Sequence, residues 1–351
     1  VQAYDLRRAE ADPQTAIDYA LHMALGPAQI PQLSDLPQMV ERGITTFKLY
    51  MAYGYCLKDG ELLQALEAIR DVGGLPVVHA ENWDVITTLI RRNLAAGRTE
   101  PRWHPRSRPA PIEAEAAQRV IDLATWVGVP VHIFHIGCHE VVERVATARA
   151  KGLPVYGETC PQYLFLTDAA YDAPGVTGAL PVCAPPLRTA ADQDVLWAAL
   201  AQDSLQLVTT DHCPFTTEQK ARGLDDFSRI PGGVPSIEAR FPLLYSYGVR
   251  TGRISLNRWV EVCCTTPARL HHLERKGTIA VGYDADLVIF DPDKTVTLST
   301  DTLHEAADWT PYDGLTVQGW PAVTIQRGVI LVDNGAFVGS AGQGRYLARS
   351  V

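Results

Sequence analysis

Residues 43–54 read GITTFKLYMAYG, a short apolar run that begins after a glycine and carries one lysine, Lys48. Five further runs of this kind recur along the chain, and helical spacing fills several of the intervals, as in 61–72 and 111–127. Runs that are apolar on both faces and alternate with helices predict a parallel sheet in an α/β protein, and several such units in series favour a (β/α) barrel. The predicted strands cover residues 17–23, 44–50, 75–80, 129–136, 153–159 and 205–211.

The pattern changes after about residue 276. Residues 277–291 (GTIAVGYDADLVIFD) and 322–337 predict short strands joined by Gly, Asp and Asn turns. We therefore expect a barrel over residues 1–275 and a small β domain over 276–351, which ends in an extended tail from residue 338. An open doubly wound sheet is the alternative, but no Gly-rich phosphate loop follows any predicted strand.

The composition narrows the classes of protein. The 351 residues are 46% hydrophobic and 20% charged, as in globular proteins, and the formal net charge is -9. A negative balance argues against a nucleic-acid partner and gives no support to binding at an anionic membrane, and no apolar run reaches the length of a membrane span. Seven cysteines without a CxxC pair indicate reduced thiols, so we expect a cytoplasmic protein.

Lys48 is the first unusual residue at the end of a predicted strand, where a barrel carries its chemistry. A buried ammonium costs several kcal/mol unless it is paired or neutralised. A lysine that reaches a carboxylate at the rim is the ordinary interpretation. The functional interpretation is a lysine that has become a Schiff base or a carbamate formed with CO₂, and a carbamate can bridge two metal ions.

Histidines end the next two predicted strands. His79 closes LPVVHAEN, and VPVHIFHIG offers His132 and His135. Because strand residues three apart point to opposite faces, we choose His135, nearer the strand end, and expect His132 to face the helices. A lone histidine at a strand end is usually structural, but two on successive strands favour metal ligation by neutral imidazoles.

A carboxylate and a tyrosine complete the candidate site. Asp211 ends the last predicted strand in LQLVTTDHCPF, where a helix cap is the ordinary interpretation. Beside a lysine and two histidines, a metal-ligating carboxylate that also moves protons is the better hypothesis. Tyr53 follows Lys48 by five residues, on the loop above the strand, and an exposed loop tyrosine is the alternative.

Nine motifs occur in an order that resembles the cyclic amidohydrolases, specifically the dihydropyrimidinase and hydantoinase group of the amidohydrolase superfamily. The resemblance covers residues 17–349, and the ordered series is far more specific than any one motif. The motifs are FKLYMAY, VVHAEN, VHIFHIG, GETCPQYLFL, CAPPLR, TTDHCPF, IPGGVPSIEAR, TTPARL and KGTIAVGYDADLVIFDP.

The resemblance implies two divalent metal ions, usually zinc, bridged by a carboxylated lysine that Lys48 matches. His79 and His135 match the ligands of the more exposed ion, and Asp211 matches a ligand of the buried ion that also transfers the proton. Tyr53 matches the tyrosine that binds the ring carbonyl or the oxyanion. The implied reaction is hydrolysis of the cyclic amide C–N bond of dihydropyrimidines or hydantoins by a metal-activated hydroxide, giving N-carbamoyl amino acids.

The resemblance also implies that backbone groups around Ala184 and Gly232 bind the imide ring. The family usually has serine and asparagine at these positions. The sequence therefore does not decide which cyclic substrate is hydrolysed, and allantoinase is an alternative. A non-catalytic dihydropyrimidinase-related assembly protein is an alternative of another class. That last interpretation is disfavoured because the chain retains all four matching ligands: Lys48, His79, His135 and Asp211. The family implies a homotetramer for the full-length parent.

One family motif has no counterpart. The H-x-H pair on the first barrel strand is missing, since no two of the ten histidines are separated by one residue. Only six barrel-type strands are predicted, so we expect a TIM-type (β/α)8 barrel that lacks strands 1 and 2, together with part of a β-sandwich domain. The chain then corresponds to an N-terminally truncated piece with an incomplete site for the buried metal, and we expect it to be inactive alone.

Overall fold

A computed structural model describes the whole chain, Val1–Val351. Six strands form one sheet in which every strand runs parallel to the next strand along the chain, so that strand order follows sequence order. The strands are β1 (Met23–Leu25), β2 (Thr46–Tyr50), β3 (Leu75–His79), β4 (Val131–Ile133), β5 (Val155–Thr159) and β6 (Leu207–Val208). The predicted α/β class with a parallel sheet is therefore confirmed.

The α-helices lie mainly in the connections between these strands. They are α1 (Gln2–Ala11), α2 (Leu36–Glu41), α3 (Asp59–Asp71), α4 (Trp83–Ala95), α5 (Trp103–Ser107), α6 (Ala110–Val127), α7 (His139–Ala150), α8 (Pro161–Phe165), α9 (Val176–Ala179), α10 (Ala190–Ala201), α11 (Thr217–Ala221), α12 (Arg240–Leu244), α13 (Leu256–Val260) and α14 (Thr266–Leu270). Short 3-10 turns cover Pro27–Asp35, Asp168–Asp172 and Phe227–Arg229, and π-helical turns cover Tyr245–Val249 and Glu261–Thr265.

Helix α6 shows how the sequence sets the helical layer. It begins beside Pro111, whose fixed φ suits a first helical turn, and it ends at Gly128, which adopts the left-handed conformation at φ 78°. Its apolar residues recur at helical spacing and are buried in the main core, whereas Asp122 and Trp126 on the other face are exposed. The buried stripe holds α6 against the sheet.

The register of the sheet overturns the expectation for His132. Lys48 is paired with Val77, and Val77 with His132, and residues aligned in a parallel sheet share a face. The His132 ring lies 4.9 Å from the ring of Phe134, and its Nε2 is 3.2 Å from a carboxylate oxygen of Glu158. His132 therefore lies on the face of Lys48 and not toward the helices.

The prediction for His132 assumed that side chains alternate along one strand as far as His135, and it failed because His135 lies beyond the end of β4. Its backbone has φ 41°, so the chain has left the extended conformation and the alternation of strand residues no longer applies. The first predicted strand was also wrong, since residues 17–22 lie outside β1. Tyr19 in this stretch pairs instead with Tyr346 of the C-terminal tail.

A separate antiparallel sheet follows the parallel one. Its order is β10-β9-β8-β7, and its strands are β7 (Leu287–Thr297), β8 (Thr316–Gln326), β9 (Val329–Asp333) and β10 (Ala336–Phe337). The predicted strand over 277–291 is confirmed only from residue 287, because turns and loops occupy the preceding stretch. Gly319 has φ 108°, and a Cβ there would lie 2.3 Å from the ring of Tyr245, so β8 packs tightly on the body of the molecule.

The last residues of the chain are docked rather than free. Leu347 donates its backbone N–H to the carbonyl of Tyr19 (2.8 Å), and Arg349 donates to the carbonyl of Gly43 (3.1 Å). The Arg349 side chain is 6% exposed and also donates to the Thr46 hydroxyl. The tail is thus a structural part of the N-terminal side of the sheet.

Asp18 connects the beginning of the chain with the antiparallel sheet. Its carboxylate lies 2.8 Å from the Lys276 ammonium and also binds Arg327, and its side chain is almost completely buried. Lys276 in turn contacts Asp284 at 3.0 Å. A largely buried network of this kind stabilises the contact between the segment before β1 and the turn between β8 and β9 more effectively than separate exposed pairs would. No helix of the chain is both long enough and apolar enough to span a membrane.

Gly43→Ala tests the docking of the tail. Gly43 has φ 84°, and a Cβ there would lie 2.3 Å from Cα of Ala348. Gly97 has a similar φ of 73° but open space around it, so Gly97→Ala measures the conformational cost alone. We expect Gly97→Ala to cost about 1–2 kcal/mol of unfolding free energy, and Gly43→Ala about 1–3 kcal/mol more. Urea denaturation measures both, and equal losses would contradict a tightly packed tail.

Candidate metal and substrate site

A cavity of about 420 Å³ lies where the parallel strands end. It collects side chains and backbone groups from the ends of β2 and β3 and from the loops that follow β2, β3, β4 and β6, together with two loops from outside the sheet. The residues predicted from the sequence all line it: Lys48, Tyr53, His79, His135, Ala184, Asp211 and Gly232. The fold therefore brings together every candidate residue, although they are distributed over more than half of the chain.

Three of these residues have an unusual backbone conformation. Tyr53, His135 and Asp211 adopt φ values of 73°, 41° and 44°, in the left-handed region that non-glycine residues rarely occupy. Each follows the end of a strand, where the chain turns across the cavity. Such conformations cost on the order of 1–3 kcal/mol each and are concentrated at functional sites. Their coincidence with the predicted residues supports this cavity as the functional site.

Two imidazoles meet at the bottom of the cavity. His79 Nδ1 lies 3.0 Å from His135 Nε2, and both rings are buried. Burial lowers the pKa of both histidines, so both are neutral at physiological pH. Zn–N bonds are about 2.0–2.1 Å long, and two nitrogen atoms this close lie within the span of one cation. The pair therefore fits a metal ion.

Glu81 and Arg108 fix the orientation of His79. The other ring nitrogen of His79, Nε2, lies 2.7 Å from Glu81 Oε2, and the same oxygen accepts a hydrogen bond of 2.5 Å from Arg108. Burial alone raises the pKa of Glu81, but Arg108 and His79 outweigh it and bring the value to about 2. The carboxylate is therefore charged and directs Nδ1 of His79 toward His135.

Lys48 is buried without an anionic partner. Its ammonium lies 3.8 Å from the centre of the Phe134 ring and 5.3 Å from that of Tyr50, and no carboxylate oxygen lies within 4 Å. Burial lowers the pKa of Lys48 to about 8, against the opposing effect of Asp211 and Glu158. About a tenth of the lysine is then the neutral amine near pH 7, the form that reacts with CO₂.

Asp211 faces the open part of the cavity. The surrounding protein raises the pKa of its carboxyl, the Lys48 cation lowers it in part, and Glu158 raises it further. A carboxyl with a raised pKa accepts and returns a proton near neutral pH more readily than an ordinary aspartate does. Asp211 can therefore act both as an anionic ligand and as a proton carrier.

Tyr53 belongs to an aromatic wall on one side of the cavity. Its ring lies 5.1 Å from His79, 5.6 Å from Tyr55 and 5.9 Å from Trp83. Burial raises the pKa of Tyr53, so the hydroxyl keeps its proton and remains a hydrogen-bond donor. The ordinary interpretation of an exposed loop tyrosine is wrong for this residue.

Two backbone segments form the opposite side. A Cβ on Gly232 would lie 3.9 Å from the Ala184 nitrogen, so the two segments approach each other closely, and the Gly233 N–H donates to the carbonyl of Val182 (2.9 Å). Neither Ala184 nor Gly232 has a polar side chain. Any contact that they make to a polar ligand therefore runs through their peptide groups.

Sequence reasoning missed several residues that line the cavity, and it missed Glu81, which contacts His79 without lining the cavity. Glu81 could have been found, because it follows His79 by two positions at a strand end. Arg108 and His104 come from the loop and helix between β3 and β4, and no sequence signal places them at the site. The remaining residues that were missed are Tyr50, Tyr55, Trp83, Ile90, Ser107, Cys213, Phe215, Phe227, Ser228, Ile230 and Gly233.

A second group of potential ligands lies outside this cavity. Ligand atoms of His139, Glu140 and Asp192 lie within 4.8 Å of one another. Asp192 is already used there, because one oxygen accepts hydrogen bonds from Thr189 at the start of α10 and the other accepts from His139. Helix capping explains this group without a metal.

The fold and the site agree with a family assignment. The model of the amidohydrolase family matches residues 33–331, and the chain belongs to this family. It is 41% identical to a D-hydantoinase of Streptomyces coelicolor over 353 aligned residues, which cover 99% of this chain and 75% of the relative. The chain thus spans about three quarters of the length of that relative.

Solved structures give the same result. The D-hydantoinase of Bacillus sp. AR9 superposes with a TM-score of 0.97 at 43% identity, over 99% of this chain and 78% of that one. The dihydropyrimidinase of Brevibacillus agri gives a TM-score of 0.97 at 43% identity, over 99% and 77% of the two chains. The chain is therefore a hydrolase of the amidohydrolase family that is similar to hydantoinases and dihydropyrimidinases.

Proposed function

We propose that this protein hydrolyses the C–N bond of a cyclic amide, a dihydropyrimidine or hydantoin, to an N-carbamoyl amino acid. The observation that carries the proposal is the convergence of His79 and His135, with nitrogen atoms 3.0 Å apart, in one cavity with Lys48 and Asp211. The similarity to hydantoinases and a dihydropyrimidinase supports the substrate class. None of the relatives described above is an allantoinase.

The donor set fits divalent metal ions. We propose that His79, His135 and Lys48 hold one ion and that Lys48 and Asp211 contribute to a second, with zinc as the ion that two imidazoles favour. Lys48 would serve as a carbamate, formed when its neutral amine adds to CO₂ and releases one proton. The bound ions would supply an activated water and polarise the ring carbonyl. Lys48 and Asp211 are only half of the ligands that the family implies for the second ion. We therefore expect the chain to bind that ion weakly.

The residues of the chain divide the remaining tasks. The Tyr53 hydroxyl donates a hydrogen bond to the ring carbonyl oxygen, on which negative charge develops. Peptide groups at Ala184 and Gly232 hold the imide ring. Asp211 takes the proton of the attacking water and delivers it to the ring nitrogen when the C–N bond breaks. The hydroxyl of that water becomes part of the new carboxylate.

We also propose a finer description of the architecture. The six parallel strands correspond to six strands of a TIM-type (β/α)8 barrel, and residues 276–351 correspond to part of a β-sandwich domain beside residues 1–275. The sequential order of the parallel strands and the TM-scores near 0.97 support this assignment. A homotetramer for the full-length parent and a cytoplasmic location are the accompanying expectations, and size-exclusion chromatography with light scattering on that parent measures the assembly.

The test uses the 351-residue chain with bicarbonate and Co²⁺ or Zn²⁺. Calorimetry measures binding of dihydrouracil, hydantoin and allantoin, and mass spectrometry measures ring opening. Binding of the first two rings that depends on metal supports the proposal, and a chain that binds neither metal nor ring contradicts it. Ring opening by this chain would support the reaction but overturn the expectation that the incomplete ligand set prevents turnover.

His79→Ala and His135→Ala locate the metal. Each substitution removes one of two buried neutral donors, and we expect about a hundredfold loss of Co²⁺ affinity, since direct ligands matter at least as much as their supporting residues. Absorbance titration of Co²⁺ measures this affinity. His304→Ala is the matched control, because His304 is exposed and lies outside the cavity. Equal Co²⁺ affinity in all three variants would exclude this cavity as the metal site.

A further inference from the structure

Lys220 is buried beside the substrate cavity but does not line it. It belongs to α11, and its side chain has no exposed surface. Its ammonium donates to the carbonyl oxygens of Val182 (2.7 Å) and Pro231 (2.8 Å), and no carboxylate oxygen lies within 4 Å. The cation is therefore stabilised by neutral groups and has no counter-ion.

A buried ammonium in this environment is costly. Removing it from water costs several kcal/mol, which hydrogen bonds to two carbonyls offset only in part. Burial correspondingly lowers the pKa of Lys220 to about 8. The Phe215 and Trp309 rings lie 5.8 Å and 6.0 Å from the ammonium, so an apolar side chain of the same length would find apolar neighbours.

The two carbonyls belong to the segments that face the substrate. Val182 precedes Ala184 by two residues, and Pro231 immediately precedes Gly232. The Pro231 oxygen accepts a hydrogen bond from Lys220. The Val182 oxygen accepts one from Lys220 and a second from the Gly233 N–H (2.9 Å). One ammonium group thus links the two backbone segments, immediately behind the peptide groups of Ala184 and Gly232 that line the cavity.

A third segment packs on the same junction. The Cys213 N–H donates to the carbonyl of Val234 (3.2 Å), and a Cβ on Gly233 would lie 2.4 Å from the Cys213 carbonyl oxygen. The loop that contains Gly232 therefore lies against the loop that carries Asp211. A shift of the Pro231 segment would move the ring-binding peptide relative to that carboxylate.

We propose that Lys220 is a positioning residue that fixes the spacing of the two backbone segments that bind the imide edge of the substrate ring. The inference rests on the proposed function, in which Ala184 and Gly232 contact that edge through their peptide groups. Lys220 does not touch the substrate. It acts by holding two carbonyls, so that the amide and carbonyl groups on the other side of each segment keep the spacing of the ring.

Lys220→Met tests the proposal in the metal-loaded 351-residue chain. Methionine retains the length and the apolar contacts but donates no hydrogen bond. Hydrogen bonds from a charged donor are each worth about 1.5–3 kcal/mol, so we expect dihydrouracil or hydantoin affinity to fall about 10- to 100-fold. Metal affinity stays unchanged, because Lys220 contacts no proposed ligand. Where turnover is measurable, KM rises while kcat changes less than about threefold.

Hydrogen exchange gives a readout that is independent of substrate. Peptides covering residues 180–186 and 228–236 are expected to exchange faster in Lys220→Met, while peptides from α6 keep their protection. Lys151→Met is the control, because Lys151 is exposed at the end of α7. If Lys220→Met does not fold, Lys220→Gln replaces it, since its shorter amide reaches at most one carbonyl and should give a partial loss.

The two proposals fail in different ways. Unchanged exchange at 228–236 together with unchanged ring affinity overturns the positioning role. A loss of metal affinity equal to the loss of ring affinity also overturns it, because that result indicates general damage to the site. If the unsubstituted chain binds no cyclic amide, the proposed function fails instead, and the exchange experiment alone then decides whether Lys220 holds the two segments.

Discussion

Lys48→Met is expected to abolish metal binding and, at the same time, to make the metal-free chain more stable. The lysine is the proposed bridging ligand, so its loss should lower Co²⁺ or Zn²⁺ affinity by at least about a hundredfold. In the metal-free chain the same residue is a buried cation without an anionic partner. Methionine removes that charge and packs well against the Phe134 and Tyr50 rings.

The stability gain depends on pH in a definite direction. Burial lowers the pKa of Lys48 from 10.5 to about 8, so the folded state binds fewer protons than the unfolded state between these values. The resulting penalty is fully present below pH 8, is about 3 kcal/mol there, and disappears as pH rises toward 10.5. We therefore expect Lys48→Met to be the more stable protein at pH 7 and the advantage to vanish above about pH 10.5.

Urea denaturation in metal-free, CO₂-free buffer measures this effect at several pH values, and Co²⁺ titration measures the metal. Lys58→Met is the control, because Lys58 is exposed at the start of α3 and should change neither quantity. A Lys48→Met variant that binds metal as the unsubstituted chain does would exclude Lys48 as a ligand. A variant that is less stable at pH 7 would exclude an uncompensated buried charge.

Glu81→Met is expected to have the second largest effect, because it breaks a buried ion pair and releases a metal ligand. Loss of the carboxylate leaves Arg108 buried and unpaired, which typically costs about 3–5 kcal/mol of unfolding free energy. It also frees the orientation of His79, and loss of such a supporting partner lowers metal affinity about 10- to 100-fold. Thermal or urea unfolding and Co²⁺ titration measure the two effects separately.

The double variant Glu81→Met with Arg108→Met separates charge from orientation. With both charges removed, most of the stability should return, because no unpaired ion stays buried. Metal affinity should remain low, since nothing then directs Nδ1 of His79. Glu218→Met is the control: its ion pair with Arg222 has a similar length of 2.8 Å but is exposed, and its loss should cost less than about 1 kcal/mol. Recovery of metal affinity in the double variant would rule out the positioning role of Glu81.

The sequence predicted the α/β class, and the candidate residues that it places at strand ends line one cavity in the structure, while their chemical roles stay predictions. Lys48, His79 and Asp211 each interrupt or close an apolar run, and the carboxyl ends of parallel strands meet at one edge of a sheet. A strand pattern thus predicts both the fold class and the meeting of these side chains. Tyr53 was chosen from the loop after Lys48 and His135 from the end of the predicted strand 129–136, but their left-handed backbone could not be predicted from local sequence.

The failures arose where tertiary contacts override the local pattern. The alternation rule placed His132 toward the helices, since it assumes that the strand continues to His135, and β4 ends before that residue. Residues 17–22 resemble a strand but are held by the C-terminal tail instead. Arg108 and Lys220 lie on connections whose path depends on the whole fold, so no spacing in the sequence links them to His79 or Gly232.

The docked tail also constrains how the chain can fold. Leu347 and Arg349 make backbone hydrogen bonds to Tyr19 and Gly43, which are more than 300 positions away in the sequence. Contacts of such separation form late, because closing a long loop costs entropy before any contact offsets it. During synthesis, the contacts on the N-terminal side of the sheet therefore cannot form until residues 347–349 have been made. A nascent chain that still lacks residues 347–349 leaves this side uncovered, which increases its exposure to aggregation and to chaperone binding.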